Sequence, residues 1–240
     1  MRTGSGPLDF PYAVDEHERL PPIWLRQNPS YYHVLLKDAG FVTEQGWVDY
    51  ALRVTPELTA RWGSALEAAR RGGFAIVRLA EVAPERRARD FTAVWNDAFS
   101  HHFGHIPFTE AEIVSVMELF AAVGMLDASV LAYRDDEPVG ALWYLPDSSA
   151  FARLAPGRTL AADERLNCLG IGVRASARGR GVNLAMAAFA YLVSVRAGAT
   201  DLSYTLVLDD NWASRRTAEK LGATVCANYV TYRRTLHRLG

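Results

Sequence analysis

Residues 166–183, LNCLGIGVRASARGRGVN, decide the fold of this chain. The stretch begins with a short apolar run, 167–173, whose glycines are typical of a buried strand approached closely by another backbone or a ligand. Residues 174–181 then supply turn formers and three arginines. From Val182 onward apolar residues recur at helical spacing, and Gly198 stands where such a helix would end. The stretch therefore predicts a strand, a glycine turn and a helix.

The glycine turn predicts an anion site. Backbone N–H groups at a helix start have no partner within the helix, and they lie at the positive end of its dipole. A pyrophosphate there accepts hydrogen bonds from these N–H groups and is attracted by the dipole. A Walker A loop would need Lys and then Ser or Thr after Gly181, where the chain has Val182 and Asn183. A dinucleotide fingerprint would need a third glycine after Gly179 and Gly181. An ordinary turn with solvated arginines is the alternative interpretation.

The turn resembles motif A of the GNAT superfamily of acyl-CoA-dependent N-acyltransferases, written R/Q-x-x-G-x-G/A. Arg178 and Gly181 occupy its first two fixed places, and Asn183 departs from the third. Downstream, the element N-x-x-S-x-x-x-x-x-K-L-G-A, which begins at Asn211, resembles motif B of the same superfamily. Two motifs in this order make the resemblance more specific than either alone.

The resemblance implies an α/β (α+β) GNAT fold, a mixed, mostly antiparallel central sheet flanked by helices, with an N-terminal helix–strand extension. Capping residues and hydrophobic periodicity predict the elements of this fold. The predicted helices are 29–39, capped by Asn28 and Gly40, then 56–71, 84–100, 109–123, a helix from Val182 and 212–221; the predicted strands are 41–54, 74–82, 130–133, 139–145, 167–173, 200–208 and 223–236.

The same patterns divide the chain into three parts. Residues 1–54 resemble the end of a truncated GNAT-like domain, 55–73 form a linking helix, and 74–240 form the acyltransferase domain. The stretches 28–41 and 95–113 resemble larger bacterial proteins with two GNAT-like domains in tandem, although any capped helix–strand pair would also explain the first. We expect the apolar residues of 1–54 to dock at an open sheet edge of the domain, on a second copy as a homodimer, or on a GNAT-like partner.

Composition restricts the classes of function. The 240 residues are half apolar, enough for one sizeable domain with an extension. A formal charge of −1 provides no basic stripe, which argues against nucleic acid as a partner. Two cysteines form neither a disulfide framework nor a spaced metal-ligand set, which indicates a cytoplasmic protein without a metal site. No apolar run approaches the roughly 18 residues of a membrane span, and the first twenty residues contain no signal-like segment.

The resemblance implies acyl-CoA as the cosubstrate, with acetyl-CoA as the default, and the amine of a small molecule as the acceptor. The pantetheine arm would lie in the splay between the strands 167–173 and 200–208, and the pyrophosphate would lie at the glycine turn. The predicted cofactor-binding residues are Ile171, Gly172, Val173, Arg178, Gly179, Arg180, Gly181, Val182, Asn183 and Asn211.

Acyl transfer needs an acid for the departing thiolate. The superfamily often uses a Tyr seven residues after the motif B Asn, and this chain has Ala218 there. Tyr204 on the neighbouring strand and Tyr229 or Tyr232 on the last strand are the predicted substitutes, although each residue is more often a core or surface tyrosine.

Acyl transfer also needs a base for the amine. The place of the usual carboxylate is near Asn167, which cannot take a proton, and Glu164 lies just before it. His101, His102 and His105 cluster in the loop expected to cover the acceptor, where solvated histidines are the ordinary interpretation and one as the base is the alternative. Cys168 as an acyl-accepting nucleophile competes with its role as a small buried hydrophobe.

Two further functions stay open at this stage. The acyl donor can be an acyl carrier protein or a long-chain acyl-CoA instead of acetyl-CoA. The chain can also be a non-catalytic GNAT-like module that binds CoA or a partner, because Asn167, Asn183 and Ala218 stand where functional residues of the superfamily often are.

Overall fold

The computed structural model describes residues 11–18, 25, 27–122, 124–146 and 165–235. Within these residues eight strands form one sheet. The strands are β1 (Tyr12–Ala13), β2 (Val42–Arg53), β3 (Phe74–Arg78), β4 (Val130–Arg134), β5 (Glu137–Pro146), β6 (Arg165–Val173), β7 (Asp201–Leu208) and β8 (Thr224–Arg233). The helices are α1 (Tyr32–Asp38), α2 (Pro56–Arg71), α3 (Pro84–Ala98), α4 (Glu110–Ala122), α5 (Val182–Arg196) and α6 (Trp212–Leu221).

The sheet has the strand order β1-β8-β2-β7-β6-β5-β4-β3. Neighbouring strands run antiparallel except β6 and β7, which are parallel. This mixed, mostly antiparallel sheet confirms the predicted fold class. Parallel pairing of β6 and β7 requires a crossover connection, and α5 provides it.

The N-terminal strand β2 lies inside the sheet, antiparallel to both β7 and β8. Its Trp47, for example, stands opposite Leu208 of β7 and Tyr229 of β8. We expected this strand to extend an open edge, and the structure corrects the expectation because β2 fills the gap between two strands of its own chain. An interior position provides partners for both rows of main-chain N–H and C=O groups, so β2 needs no second copy.

Helix α1 differs from the prediction in its N-cap residue and in the exposure of its apolar side chains. Its N-cap is Tyr31, whereas the side chain of Asn28, the predicted cap, accepts from the N–H of Ala13 at 2.7 Å and donates to its carbonyl at 3.2 Å. Asn28 thereby holds β1 instead of capping α1. The apolar residues of α1 were expected to be buried, but Tyr31 is 56% and Leu35 55% exposed.

Helices cover both faces of the sheet. The consecutive residues Trp143 and Tyr144 of β5 lie on opposite faces, since Trp143 contacts Phe91 of α3 while Tyr144 contacts Tyr191 of α5. Trp62 of α2 is completely buried against Tyr191 and donates to the carbonyl of Leu221 on α6 at 2.9 Å. Helices α3 and α4 therefore share one face, and α2, α5 and α6 share the other. None of the helices in the described ranges is long and apolar enough to cross a bilayer.

The glycines of β6 allow α3 to lie directly against the strand. A Cβ atom built on Gly170 would lie 2.6 Å from the ring of Trp95, and one on Gly172 would lie 3.0 Å from both Ala98 and Phe99. The distance at Gly170 is shorter than real Cβ contacts and the distances at Gly172 are tighter than most, so a side chain at either position would push α3 away from the strand. The glycine-rich strand thus brings the end of α3 over the middle of the sheet.

Candidate functional site

A splay between β6 and β7 forms the centre of the candidate site. The two strands pair only from Arg165 with Asp201 to Cys168 with Tyr204. Beyond this row β6 continues to Val173 with β5 as its partner, and in the described part of the chain its pairing with β7 does not resume. A strand edge that loses its neighbour offers main-chain donors and acceptors to an extended ligand.

The predicted glycine turn joins the end of β6 to α5. Gly179 has a φ of 75° and Gly181 a φ of 80°, in the left-handed region that favours glycine. Gly181 is the N-cap of α5, and a Cβ atom on either glycine would meet no atom of the described residues within 4 Å beyond its chain neighbours. The start of α5 therefore faces open space, as an anion site at a helix N-terminus requires.

Arg178 and Arg180 of the turn have different surroundings. Arg178 donates through Nε to the carbonyl of Val173 at 3.0 Å and through its terminal nitrogen to the carbonyl of Ala98 at 3.1 Å. Its guanidinium thus ties the turn to the ends of β6 and α3, a positioning contact that its place in motif A did not predict. Arg180 is exposed at the turn. The expected role of both residues in cofactor binding stays a prediction.

Asn183 joins the start of α5 to the middle of α6, and Asn211 caps the start of α6. The side chain of Asn183 donates to the hydroxyl of Thr217 on α6 at 2.6 Å. Asn211 is the N-cap of α6, as predicted, and accepts from the N–H of Ser214 at 3.1 Å. Asn183 therefore holds the two helices together at the position where motif A has Gly or Ala.

Tyr204 lies on β7 in the same cross-strand row as Cys168 of β6. Its hydroxyl and that of Ser214 on α6 are 2.8 Å apart, and burial raises the pKa of Tyr204 above its ordinary value. Burial also raises the pKa of the Cys168 thiol well above its ordinary range. Tyr204 is thus a protonated donor at neutral pH, while Cys168 remains a thiol and is a poor nucleophile.

The remaining predicted catalytic residues do not meet around Tyr204. Asn167 is completely buried and stands opposite Ser203 of β7. Among the residues that the structure describes, neither amide atom of Asn167 nor the hydroxyl of Ser203 has a hydrogen-bond partner. Tyr229 is buried on β8, separated from β7 by β2, so its strand is about 10 Å from that of Tyr204. Glu164 lies outside the described residues.

The loop after α3 covers the face of the sheet opposite α5. The ring of His102 is 5.3 Å from Phe99 and 6.2 Å from Trp47 of β2. Burial lowers the pKa of His102 and of His105, while His101 is exposed. The cluster of histidines was visible in the sequence, but the sequence did not distinguish the buried members from the exposed one. No set of three His, Cys, Asp or Glu side chains suited to a metal ion occurs among the described residues.

No family model matches the sequence, and no curated protein matches it. Solved structures do resemble the fold. A GCN5-related N-acetyltransferase from Sphaerobacter thermophilus aligns with a TM-score of 0.59 and 18% identity over 87% of this chain and 57% of its own length. A fungal glucosamine N-acetyltransferase region aligns with a TM-score of 0.52 and 14% identity. This alignment covers 88% of this chain and 23% of the fungal multi-domain protein.

A tandem GNAT protein from the clavulanic acid biosynthesis pathway gives a TM-score of 0.50 and 11% identity over 86% of this chain and 59% of its own. The chain therefore spans less than two thirds of the length of each of these proteins. From these alignments and the sheet topology, the chain has the fold of the GCN5-related N-acetyltransferases, the GNAT fold.

Proposed function

We propose that the protein is an N-acyltransferase that transfers an acyl group, acetyl by default, from acyl-CoA to the amine of a small molecule. The observation that carries this proposal is the splay between β6 and β7, which opens directly onto the left-handed turn at Gly179 and Gly181. The splay provides an extended strand edge for the two amides of pantetheine. The turn provides the start of α5 for the pyrophosphate.

Binding in this arrangement would bring the thioester to the sheet at the residues of β6. The pantetheine amides would pair with main-chain groups of Ile171, Gly172 and Val173, and the N–H groups near Val182 and Asn183 would bind the pyrophosphate. The amine nitrogen then attacks the thioester carbonyl, the C–S bond breaks, and CoA leaves as a thiolate that takes up a proton. Tyr204, whose buried hydroxyl on β7 lies beside that of Ser214, is the residue that we propose to relay this proton.

Calorimetric titration with CoA and with acetyl-CoA, followed by a thiol-release assay with a panel of primary amines, tests the proposal. We expect saturable binding of both nucleotides, slow thioester hydrolysis without an amine, and faster thiol release with at least one amine. A protein that binds neither nucleotide would contradict the proposal.

Two other functions remain alternatives, and the same measurements distinguish them. Turnover with an acyl carrier protein or a long-chain acyl-CoA, but not with acetyl-CoA, would identify that molecule as the acyl donor. Binding of CoA without hydrolysis or transfer would indicate a non-catalytic CoA-binding or interaction module. The hydrogen bond between Asn183 and Thr217 favours this second alternative, since it joins α5 and α6 beside the expected path of the pantetheine arm.

We also propose that residues 1–54 correspond to the end of a first GNAT-like domain, with 55–73 as the linking helix and 74–240 as the transferase domain. The support is that β2 fills a central position of the sheet while α1 presents Tyr31, Val34 and Leu35 to solvent. This face would dock on a GNAT-like partner or on a second copy in the bacterial cytoplasm. Light scattering of the purified chain and of a Val34→Glu, Leu35→Glu variant tests it; a monomer at all concentrations would contradict the homodimer.

A further inference from the structure

We propose that His102 is the general base that removes a proton from the acceptor amine. The inference rests on the proposed acyltransferase function and assigns the residue that the motif comparison leaves open. Asn167, which stands where the usual carboxylate is found, cannot take a proton. The amines of most small molecules are largely protonated at neutral pH, so a base must act before the nitrogen can attack.

Ring contacts locate His102 over the splay. Phe99 lies against β6, because a Cβ atom on Gly172 would be 3.0 Å from its ring. Phe99 contacts His102 at 5.3 Å between ring centroids, and His102 contacts Trp47 of β2 at 6.2 Å. Strands β6 and β2 flank β7 on its two sides. The imidazole thus lies between rings that stand on either side of the splay, on the face opposite α5.

A main-chain contact fixes the tautomer of His102. Its Nδ1 is 3.0 Å from the carbonyl oxygen of Phe103. A carbonyl oxygen can only accept, so Nδ1 carries the proton and donates it. In the neutral ring the proton then occupies Nδ1, and Nε2 keeps its lone pair. A histidine with this tautomer can accept a proton without first rearranging.

The surroundings keep the imidazole neutral at physiological pH. Burial lowers the pKa of His102, and this effect outweighs the opposing influence of the Phe103 carbonyl and of Asp210 in the turn after β7. The neighbouring imidazole of His105 is the other titratable group that interacts with it. Phe99 and Trp47, which flank the ring, carry no charge. Asp210 can stabilise the imidazolium that forms when the proton arrives.

In the proposed step Nε2 of His102 takes one proton from the ammonium of the acceptor. The nitrogen lone pair so released forms the bond to the thioester carbon, and the electron pair of the C–S bond leaves with the sulfur. The nitrogen still carries an extra proton after the attack, and this proton passes to the departing thiolate, through solvent or relayed by the Tyr204 hydroxyl, so that the products are a neutral amide and the CoA thiol. The imidazolium returns its proton to water. No oxidant, reductant or further reactant is required.

The first test needs no acceptor. Ring ¹H–¹⁵N spectra of uniformly labelled protein, with His102→Gln to assign the signals, should show His102 as the Nδ1–H tautomer with a pKa below 6.5. Addition of acetyl-CoA should shift the His102 signals and leave those of His33, which bonds Tyr232 on β8, unchanged. If acetyl-CoA binds and the His102 signals do not move, His102 is remote from the site and the proposal is wrong.

The second test uses the most active amine of the panel. His102→Gln should lower kcat by roughly 10²- to 10⁴-fold and move the acidic limb of the pH profile up to the pKa of the amine itself, with the Kd for CoA within about twofold. His101→Gln, a change at the exposed neighbouring ring, is the matched control and should retain the wild-type rate. Hydroxylamine, already neutral at pH 7, should be affected much less by His102→Gln. An unchanged pH profile in His102→Gln would overturn the proposal, whereas failure to bind acetyl-CoA would overturn the proposed function itself.

Discussion

Replacement of Gly181 by alanine separates the role of the glycine turn in binding from its role in folding. Gly181 has a φ of 80°, and in the described part of the chain no atom lies within 4 Å of its Cβ position, so the substitution introduces backbone strain without a steric clash there. The left-handed conformation costs an L-residue about 1–2 kcal/mol, and the less flexible unfolded chain offsets about 0.4–1 kcal/mol of this. A net loss near 1 kcal/mol should lower Tm by about 2–4 °C for a chain of this size.

The effect of Gly181→Ala on CoA binding should be larger. The new methyl group would lie at the start of α5, in the open space that the pyrophosphate would occupy. Loss of one charge-assisted hydrogen bond costs about 1.5–3 kcal/mol, which corresponds to a roughly 10- to 150-fold weaker Kd. Gly181→Val should abolish detectable binding, because a β-branched residue is larger and tolerates a positive φ less well.

Gly73→Ala is the matched control for this prediction. Gly73 has a φ of 82° and also has no atom within 4 Å of a Cβ position, but it lies between α2 and β3, away from the turn. Calorimetric titration of CoA and thermal melts of both variants provide the comparison. Both variants should lose similar stability, and only Gly181→Ala should lose affinity. Equal CoA affinity in wild type, Gly73→Ala and Gly181→Ala would refute the assignment of the turn as the pyrophosphate site.

Three further predictions concern Tyr204, Asn211 and His102. Tyr204→Phe keeps the buried ring and removes the hydroxyl next to Ser214, so kcat should fall by roughly 10- to 100-fold with CoA affinity unchanged, while Tyr229→Phe should have no effect on rate. Asn211→Ala removes the cap of α6 and should cost about 1 kcal/mol, measured by urea unfolding. Because the pKa of His102 is lowered in the folded state, the unfolded chain takes up a proton first as the pH falls. The free energy of unfolding should therefore decrease below about pH 6.5, and His102→Gln should remove this part of the decrease.

Local signals in the sequence specified most helices, most strands and the turn. The bounds of α2 and α6 agree with the predicted 56–71 and 212–221 because Pro56 begins the first helix and Asn211 caps the second. Thr109 and Glu112 form a capping box at the start of α4, with the N–H of Thr109 donating to Glu112 at 2.7 Å. Each of these signals acts between residues three or four apart, so the sequence alone contains it.

The sequence did not predict the contacts of side chains whose partners lie far away along the chain. Asn28 is a residue type that often caps helices, yet its side-chain amide forms hydrogen bonds with the main chain of Ala13, fifteen residues away. The hydrogen bond from the Arg178 guanidinium to the carbonyl of Ala98 also joins segments far apart in the sequence, and motif A did not predict it. Local patterns cannot reveal such partners because the partners are adjacent only after the chain has folded.

The sequence by itself determined the glycine turn at Gly179 and Gly181 and the helix that follows it, and it supplied the candidate acid and base residues. Tertiary structure alone decided that β2 lies between β7 and β8, that Tyr204 is buried beside Ser214, and that His102 covers the splay. The physical reason is the separation in sequence over which each kind of interaction acts. Turn conformation and helix capping depend on neighbours within a few residues, whereas strand order and ring contacts depend on segments up to about two hundred residues apart, which only the burial of a shared core brings together.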